Sequence, residues 1–285
     1  MTSTTEFASH SDYKLHESSI VEIDNKDLSY YTRGHSNANA YSLVIPAYNE
    51  ERRIGPFLEH LKAELPGGWE VIVVCDGTDN TANIAKSIDT RFKVIEFEHR
   101  LGKGGAIKAG LNFANGEVLG YVDADGAISF SEVLKVFGAI NKDTEVAVGS
   151  RWVRGSKLER KQPAVRVILG RLYHYVTFAF LGLTIKDTQC GIKAFRAGTI
   201  RKIVNSVTLR NLSFDTAILY HCKIDGTNIV EVPIIWKDVS GSKVNPIKTV
   251  PIMLLSLIGL WIAHSKWSFK LSDLITSVRD VIEDM

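Results

Sequence analysis

The 285-residue sequence predicts an α/β fold: a doubly wound, mostly parallel sheet flanked by helices. Three observations predict it. From Tyr41 onward, short apolar runs alternate four times with segments whose apolar residues recur at helical spacing. The runs lack a polar face, so both sides of the sheet must be covered. Three of them end in acids or turn residues, at the strand ends where ligands of such sheets lie.

Taken in order, residues 1–39 are polar, with weak apolar periodicity, and read as a loose N-terminal arm. The first pair is the strand SLVIPA followed by the helix EERRIGPFLEHLKAEL. WEVIVVCD with TANIAKSI, FKVIEFE with GGAIKAGLNFA, and EVLGYVDAD with SEVLKVFGAI continue the rhythm. A fifth strand, EVAVGSR, leads into a basic and aromatic stretch from Arg151 to Leu183, where the alternation stops. GIKAF, a helix starting near Ser213, the strand NIVEVPIIW and a C-terminal apolar segment follow. The domain expected to carry function is 40–245, with 246–285 a C-terminal apolar or amphipathic helical segment.

Composition narrows the function classes. Lys and Arg (34) nearly balance Asp and Glu (32), a net charge of +2 that gives a nucleic-acid partner no support. Cys75, Cys190 and Cys222 have no paired metal-ligand spacing, which argues for a reducing compartment rather than a disulfide scaffold or zinc site. His99, His174 and His221 lack mutual ligand spacing. The N-terminus shows no charged start followed by an apolar stretch, so no secretion signal is expected. Val250 to Ala263 is apolar but shorter than the ~20 residues a bilayer crossing needs, which leaves a buried core helix or an interfacial one.

The chemistry is expected at three strand ends. Pro46-Ala47-Tyr48-Asn49-Glu50 closes the first strand, with a stacking ring at Tyr48 and polar groups for a base or ribose at Asn49 and Glu50. An ordinary turn and helix start would look the same. Asp76, before Gly77, could accept a base N–H. Asp123-Ala124-Asp125 places two carboxylates around a strand end, where both can converge on one divalent cation. Such a cation would neutralise charge on a departing diphosphate. Lys103 and Gly104 sit in a glycine-rich turn before a helix, suited to a diphosphate through the ammonium and exposed backbone N–H groups. Arg151, Arg154, Arg166 and Arg171, with Lys237 and Lys243, suit a phosphate monoester, and the aromatics interleaved from Val165 to Leu183 suit an isoprenoid tail or headgroup zone.

These blocks, together with VDADGAISF, VGSR, Asp187-Thr188-Gln189-Cys190-Gly191, LSFD and GSKV, resemble the inverting family 2 glycosyltransferases of GT-A fold in order and spacing over roughly residues 41 to 250. Within that family they are most similar to the polyprenyl and dolichyl phosphate sugar transferases, the dolichyl-phosphate glucosyltransferases above all. The resemblance implies transfer of a hexose, glucose favoured, from a nucleotide diphosphate sugar, UDP-glucose favoured, to dolichyl or polyprenyl phosphate with inversion. It further implies Mg2+ or Mn2+ as cofactor, C-terminal amphipathic interfacial helices, and peripheral attachment at the cytoplasmic face of a membrane, where the product supplies lipid-linked sugar for glycosylation. By the same resemblance, residues 46 to 50 and Asp76 hold the nucleotide, Asp123 the ribose or metal side and Asp125 the metal, while Arg151, Arg166 and Lys243 receive lipid phosphate. Two departures stand out: the loop at Asp76-Gly77-Thr78-Asp79 is one residue shorter than in many members, and Ala127 replaces a polar metal-side residue of mannosyltransferase relatives, which excludes that position from the metal.

An acceptor phosphate, with its second pKa at about 6, arrives ionised and needs little help from a base. Asp215, at a helix start, and Asp187 are the candidate bases should one be required, although either could be a cap or orienting acid. Two alternatives remain: transfer to a protein or saccharide hydroxyl, and a nucleotide-sugar binding protein without catalysis. Arg151-Trp152 lacks the preceding Gln of polysaccharide synthases.

Overall fold

The computed structural model describes residues 13–15, 40–159, 164–237, 239 and 246–264; of 13–15, 164–166 and 246–248 it describes the backbone alone. Its centre is an eight-stranded sheet built from β1 (Tyr13–Leu15), β2 (Tyr41–Ala47), β3 (Trp69–Cys75), β4 (Phe92–Phe97), β5 (Val118–Val122), β6 (Val146–Ser150), β8 (Ile192–Arg196) and β9 (Ile229–Pro233), in the spatial order β1-β4-β3-β2-β5-β8-β6-β9. β4, β3, β2 and β5 run parallel, as do β6 and β9. β8 is antiparallel to both neighbours, β5 and β6. β1, a fragment of the polar arm, pairs antiparallel with β4, a pairing its composition did not predict. A second, two-stranded sheet joins β7 (Lys157–Leu158) and β10 (Ile235–Trp236).

The helices cover both faces because the strands are apolar on both. Leu43 and Ile45 of β2, with Val71 and Val73 of β3, face α1 (Ile54–Glu64), α2 (Thr81–Ile88) and α4 (Phe130–Gly138). Alternation by two turns Val44, Ile72 and Val74 to the other layer. That layer holds α3 (Gly102–Phe113), α5 (Ala164–Leu181), α6 (Ala197–Ile203), α7 (Phe214–Ile224) and α8 (Pro246–Ala263). The four expected strand and helix pairs are all present, and the sheet is mostly parallel as expected. One boundary differs: β5 ends at Val122, before Asp123 rather than between the two aspartates, so both acids belong to the loop.

α8 buries Met253, Leu257 and Leu260 but also exposes Leu255, Ile258 and Trp261, so apolar residues occupy both its inner and outer faces. α5 similarly exposes Ile168, Leu172 and Tyr175, spaced four and three apart along one stripe. Phe180 of α5 meets Trp261 of α8 edge to face at 5.7 Å. Among the described residues no helix is long and apolar enough to cross a membrane.

Candidate functional site

Parallel pairing sets Ala47 beside Cys75 and Val44 beside Tyr121, which brings the loops leaving β2, β3 and β5 together. The first loop is mostly braced by its neighbours. Pro46 and Ala47 are still within β2, and Ala47 is buried. Asn49 adopts a left-handed backbone (φ 55°) that directs its Oδ1 to accept the N–H groups of Thr78 (2.9 Å) and Asp79 (3.2 Å). A Cβ at Gly77 would lie 2.4 Å from that oxygen, so glycine is what lets the two loops touch. Glu50 grips Arg53 with both oxygens at 2.6 Å, and its N–H donates to Thr81 Oγ1. Tyr48 remains exposed, with the Arg100 guanidinium 4.4 Å over its ring. Of this motif, Tyr48 therefore keeps an open surface suited to stacking, while Asn49 and Glu50 build the loop.

Asp76 is buried, and its Oδ2 accepts the N–H groups of Leu101 (2.9 Å) and Gly102 (3.0 Å). Burial raises its pKa, against those two hydrogen bonds. The Gly104 N–H donates to Arg210 O at 2.7 Å, and a Cβ there would strike Phe214. The glycine-rich turn is thus fastened to Asp76 and to the approach to α7, and two of its N–H groups, those of Gly102 and Gly104, are already used. Lys103, in the first turn of α3, points its ammonium into the site instead.

That ammonium lies 2.7 Å from Asp123 Oδ1 and 2.8 Å from Asp215 Oδ2. Asp215 Oδ1 in turn meets Lys193 Nζ at 2.6 Å and accepts the Tyr121 hydroxyl at 2.7 Å. Burial alone would raise the pKa of Asp215, but Lys103 and Lys193 more than offset it and lower the pKa to about 2. Burial raises the pKa of Asp123, opposed by Lys103 and reinforced by the like charges of Asp125 and Asp215. The Asp123 N–H donates to Gly191 O, and a Cβ at Gly191 would stand 2.2 Å from Asp123 Oδ2. Ala124 is buried, and Asp125 Oδ1 accepts the Ala127 N–H at 3.0 Å.

Among the described residues no three His, Cys, Asp or Glu side chains converge as a metal cluster. Asp123 and Asp125 are the carboxylates at this strand end that could hold a hard cation. Two carboxylates suit an ion such as Mg2+, which completes its shell with phosphate and water oxygens rather than with protein. An ammonium resting on Asp123 marks the place as one that favours positive charge.

On the other side, Asp187 takes the Arg151 guanidinium in a two-point ion pair (2.7 and 2.8 Å) and also accepts its backbone N–H. Burial works against the guanidinium's charge, but Asp187 outweighs it and raises the pKa of Arg151. Glu231 accepts the N–H groups of Lys186 and Asp187 and so holds the loop, while Trp236 lies 5.6 Å from the Arg151 guanidinium. Arg171 is exposed on α5, 5.8 Å from the Trp152 ring. Arg154 and Lys237 are exposed. Arg166 is in the first turn of α5 but its side chain is not among those described, and Lys243 lies outside the described residues.

The structure therefore joins Lys103, Asp123 and Asp215 through ion pairs, sets Asp125 near enough for its charge to act on Asp123, and places Asp187 with Arg151 in a second group. Lys193, Tyr121 and Glu231 were not among the residues the sequence singled out, and Gly191 was named in a motif block without its role beside Asp123. For Lys193 a signal existed, because a lysine inside the apolar run Ile192-Lys193-Ala194-Phe195, in a sheet covered on both faces, requires a buried acid.

Comparison with known proteins adds a family. The family model for glycosyl transferase family 2 matches residues 42–204. The dolichyl-phosphate beta-glucosyltransferase of Drosophila melanogaster is 31% identical over 253 residues, covering 82% of this chain and 78% of that protein. The Saccharomyces cerevisiae protein of the same name is 35% identical over 227 residues, covering 71% and 68%. Among solved structures, glucosyl-3-phosphoglycerate synthase from Mycobacterium tuberculosis, crystallised with Mn2+, UDP-glucose and phosphoglyceric acid, superposes with a TM-score of 0.61 at 17% identity over 85% of this chain and 84% of that one. At that identity the likeness speaks for the fold.

Proposed function

The chain belongs to glycosyl transferase family 2 and is a glycosyltransferase; from that premise we propose that it transfers glucose from UDP-glucose to dolichyl or another polyprenyl phosphate, with inversion, at the cytoplasmic face of a membrane. The chain's similarity to dolichyl-phosphate beta-glucosyltransferases supports the donor and the acceptor class. Residues 40–245 form the catalytic domain in this reading, with 1–39 an arm and 246–285 a membrane-facing segment.

One observation carries the choice of acceptor. Both carboxylates that could serve as general base are committed to cations: Asp215 to Lys103 and Lys193, Asp187 to Arg151. A hydroxyl acceptor must lose a proton as it attacks, whereas a phosphate monoester arrives ionised, with its second pKa at about 6. This arrangement favours the phosphate. Asp187 then acts by aiming Arg151 toward the acceptor, with Arg166 and Lys243 completing the anion site.

On the donor side, Tyr48 stacks against the base and Asp76 supports the turn that presents Lys103 to the diphosphate. Asp123 and Asp125 would hold Mg2+ or Mn2+, which supplies positive charge to the departing diphosphate. Mn2+ accompanies UDP-glucose in the Mycobacterium tuberculosis synthase of the same fold. Lys103 adds a second positive charge beside the leaving group, and the protein's contribution is mainly position and screening.

The exposed apolar residues of α5 and α8 provide the membrane contact in this reading. Tyr173 ties α5 to the site through its hydroxyl, 3.0 Å from Thr216 Oγ1, next to Asp215.

Incubation of purified protein with labelled UDP-glucose, GDP-mannose or UDP-N-acetylglucosamine, with polyprenyl phosphate and Mn2+ or Mg2+, tests the proposal. Lipid-linked glucose from UDP-glucose is expected. Absence of lipid-linked product from every donor would refute it, and transfer to free saccharide hydroxyls would favour the alternative.

A further inference from the structure

Lys193 occupies a place where a lysine is costly. It lies on β8 opposite Tyr121 of β5 and Val148 of β6, and its side chain is completely buried. Removing an ammonium from water costs several kcal/mol, and a well-packed apolar residue in such a place is often as stable or more so. Its nitrogen meets Asp215 Oδ1 at 2.6 Å and the Cys190 carbonyl at 3.0 Å, with the Tyr121 ring 5.5 Å away. Asp215 offers its other oxygen to Lys103, which reaches on to Asp123. One carboxylate is thus held between two ammonium groups, the rear one sealed from solvent and the front one 16% exposed at the site.

We propose that Lys193 is a positioning residue for donor binding: by neutralising Asp215 from behind, it leaves the Lys103 ammonium free to pass from the carboxylates to the diphosphate of a nucleotide sugar. The inference rests on the reading of this site as one for a nucleoside diphosphate donor. Charge explains the effect. Lys103 and Lys193 balance the charges of Asp123 and Asp215. Without Lys193 the cluster gains a negative charge, and the whole pull of Asp215 falls on Lys103. Both changes oppose an approaching diphosphate.

Calorimetric binding of UDP in the presence of Mn2+, compared across wild type, K193M, D215N and the double variant K193M/D215N, tests the proposal without reference to any acceptor. Methionine keeps similar length and removes the charge. K193M is expected to weaken UDP binding about tenfold. Adding D215N should restore most of that loss, because the charge that Lys193 offsets has gone. A residue that merely fills space would show no such rescue, since loss of a second buried group compounds the first. The proposal is overturned if K193M binds UDP as tightly as wild type, or if the double variant binds no better than K193M. Should K193M fail to fold, the double variant decides: affinity near that of wild type is expected, and a large loss overturns the proposal. A wild-type protein that binds GDP in place of UDP contradicts the donor assigned above, and the same four-protein comparison then proceeds with GDP. Binding of neither nucleotide overturns both readings.

Discussion

Asp123 takes part in three arrangements at once: an ion pair with Lys103, a backbone bond to Gly191, and a shared strand end with Asp125. Its orientation depends on the bare face of Gly191, where a Cβ would stand 2.2 Å from Oδ2. Gly191→Ala must therefore turn the carboxylate, and a displacement of about 1 Å at a reacting centre can cost about 100-fold in rate. The expected outcome is a loss of that order in steady-state transfer, and an unchanged rate would contradict this account of Asp123. Asp123, Asp125 and Lys103 were legible in the sequence because each stands at a strand end or in a glycine turn. The use of Asn49, Glu50 and the Gly104 N–H in bracing the loops was not, because a polar group at a strand end reads the same whether it faces a ligand or a neighbouring loop. Asp215 was legible as a site acid but not in its partnership with Lys193, which comes from a strand paired antiparallel and out of rhythm.

At the scale of elements, His221 of α7 meets His264, the residue just after α8, with ring centroids 5.1 Å apart. Burial, and then the charge of His264, lower the pKa of His221 to about 4 from an ordinary 6.5. The unfolded chain takes up the proton first as pH falls, so stability should decline from about pH 6.5 to about pH 4 and level off below. His221→Gln should remove most of that slope in melting temperature measured across this range; an unaltered slope would show that other groups govern it. The helix α5 was readable as a basic and aromatic helix, and its stripe of Ile168, Leu172 and Tyr175 is exposed. α8 was harder to place, since an apolar run of that length fits a buried helix and an interfacial one equally, and it packs on the core while leaving Leu255, Ile258 and Trp261 exposed. Leu172→Glu combined with Tyr175→Glu should abolish co-sedimentation with liposomes containing anionic lipid, and retained binding would remove α5 from the proposed membrane contact.

For the whole molecule, the alternation of strands and helices made the parallel half of the sheet legible, because a strand apolar on both faces leaves few other architectures. The antiparallel insertion of β8 between β5 and β6 was not legible, since pairing direction depends on a chain reversal that leaves no periodicity in the sequence. That insertion delivers Gly191 to Asp123 and Lys193 to Asp215, so the site is completed by the part of the topology hardest to foresee. The proposed donor and membrane contacts fall on different elements, so the Leu172→Glu/Tyr175→Glu variant should retain UDP affinity within about twofold by calorimetry; a parallel loss of both would mean that the two are one structural unit. The central claim is that Asp123 and Asp125 together create the charge that a metal-assisted donor site requires. The most direct measurement is the rate at which Asp125→Ala transfers glucose from UDP-glucose to polyprenyl phosphate at saturating Mn2+. A fall of about 100-fold or more is predicted, and a rate equal to that of the wild type would contradict the account.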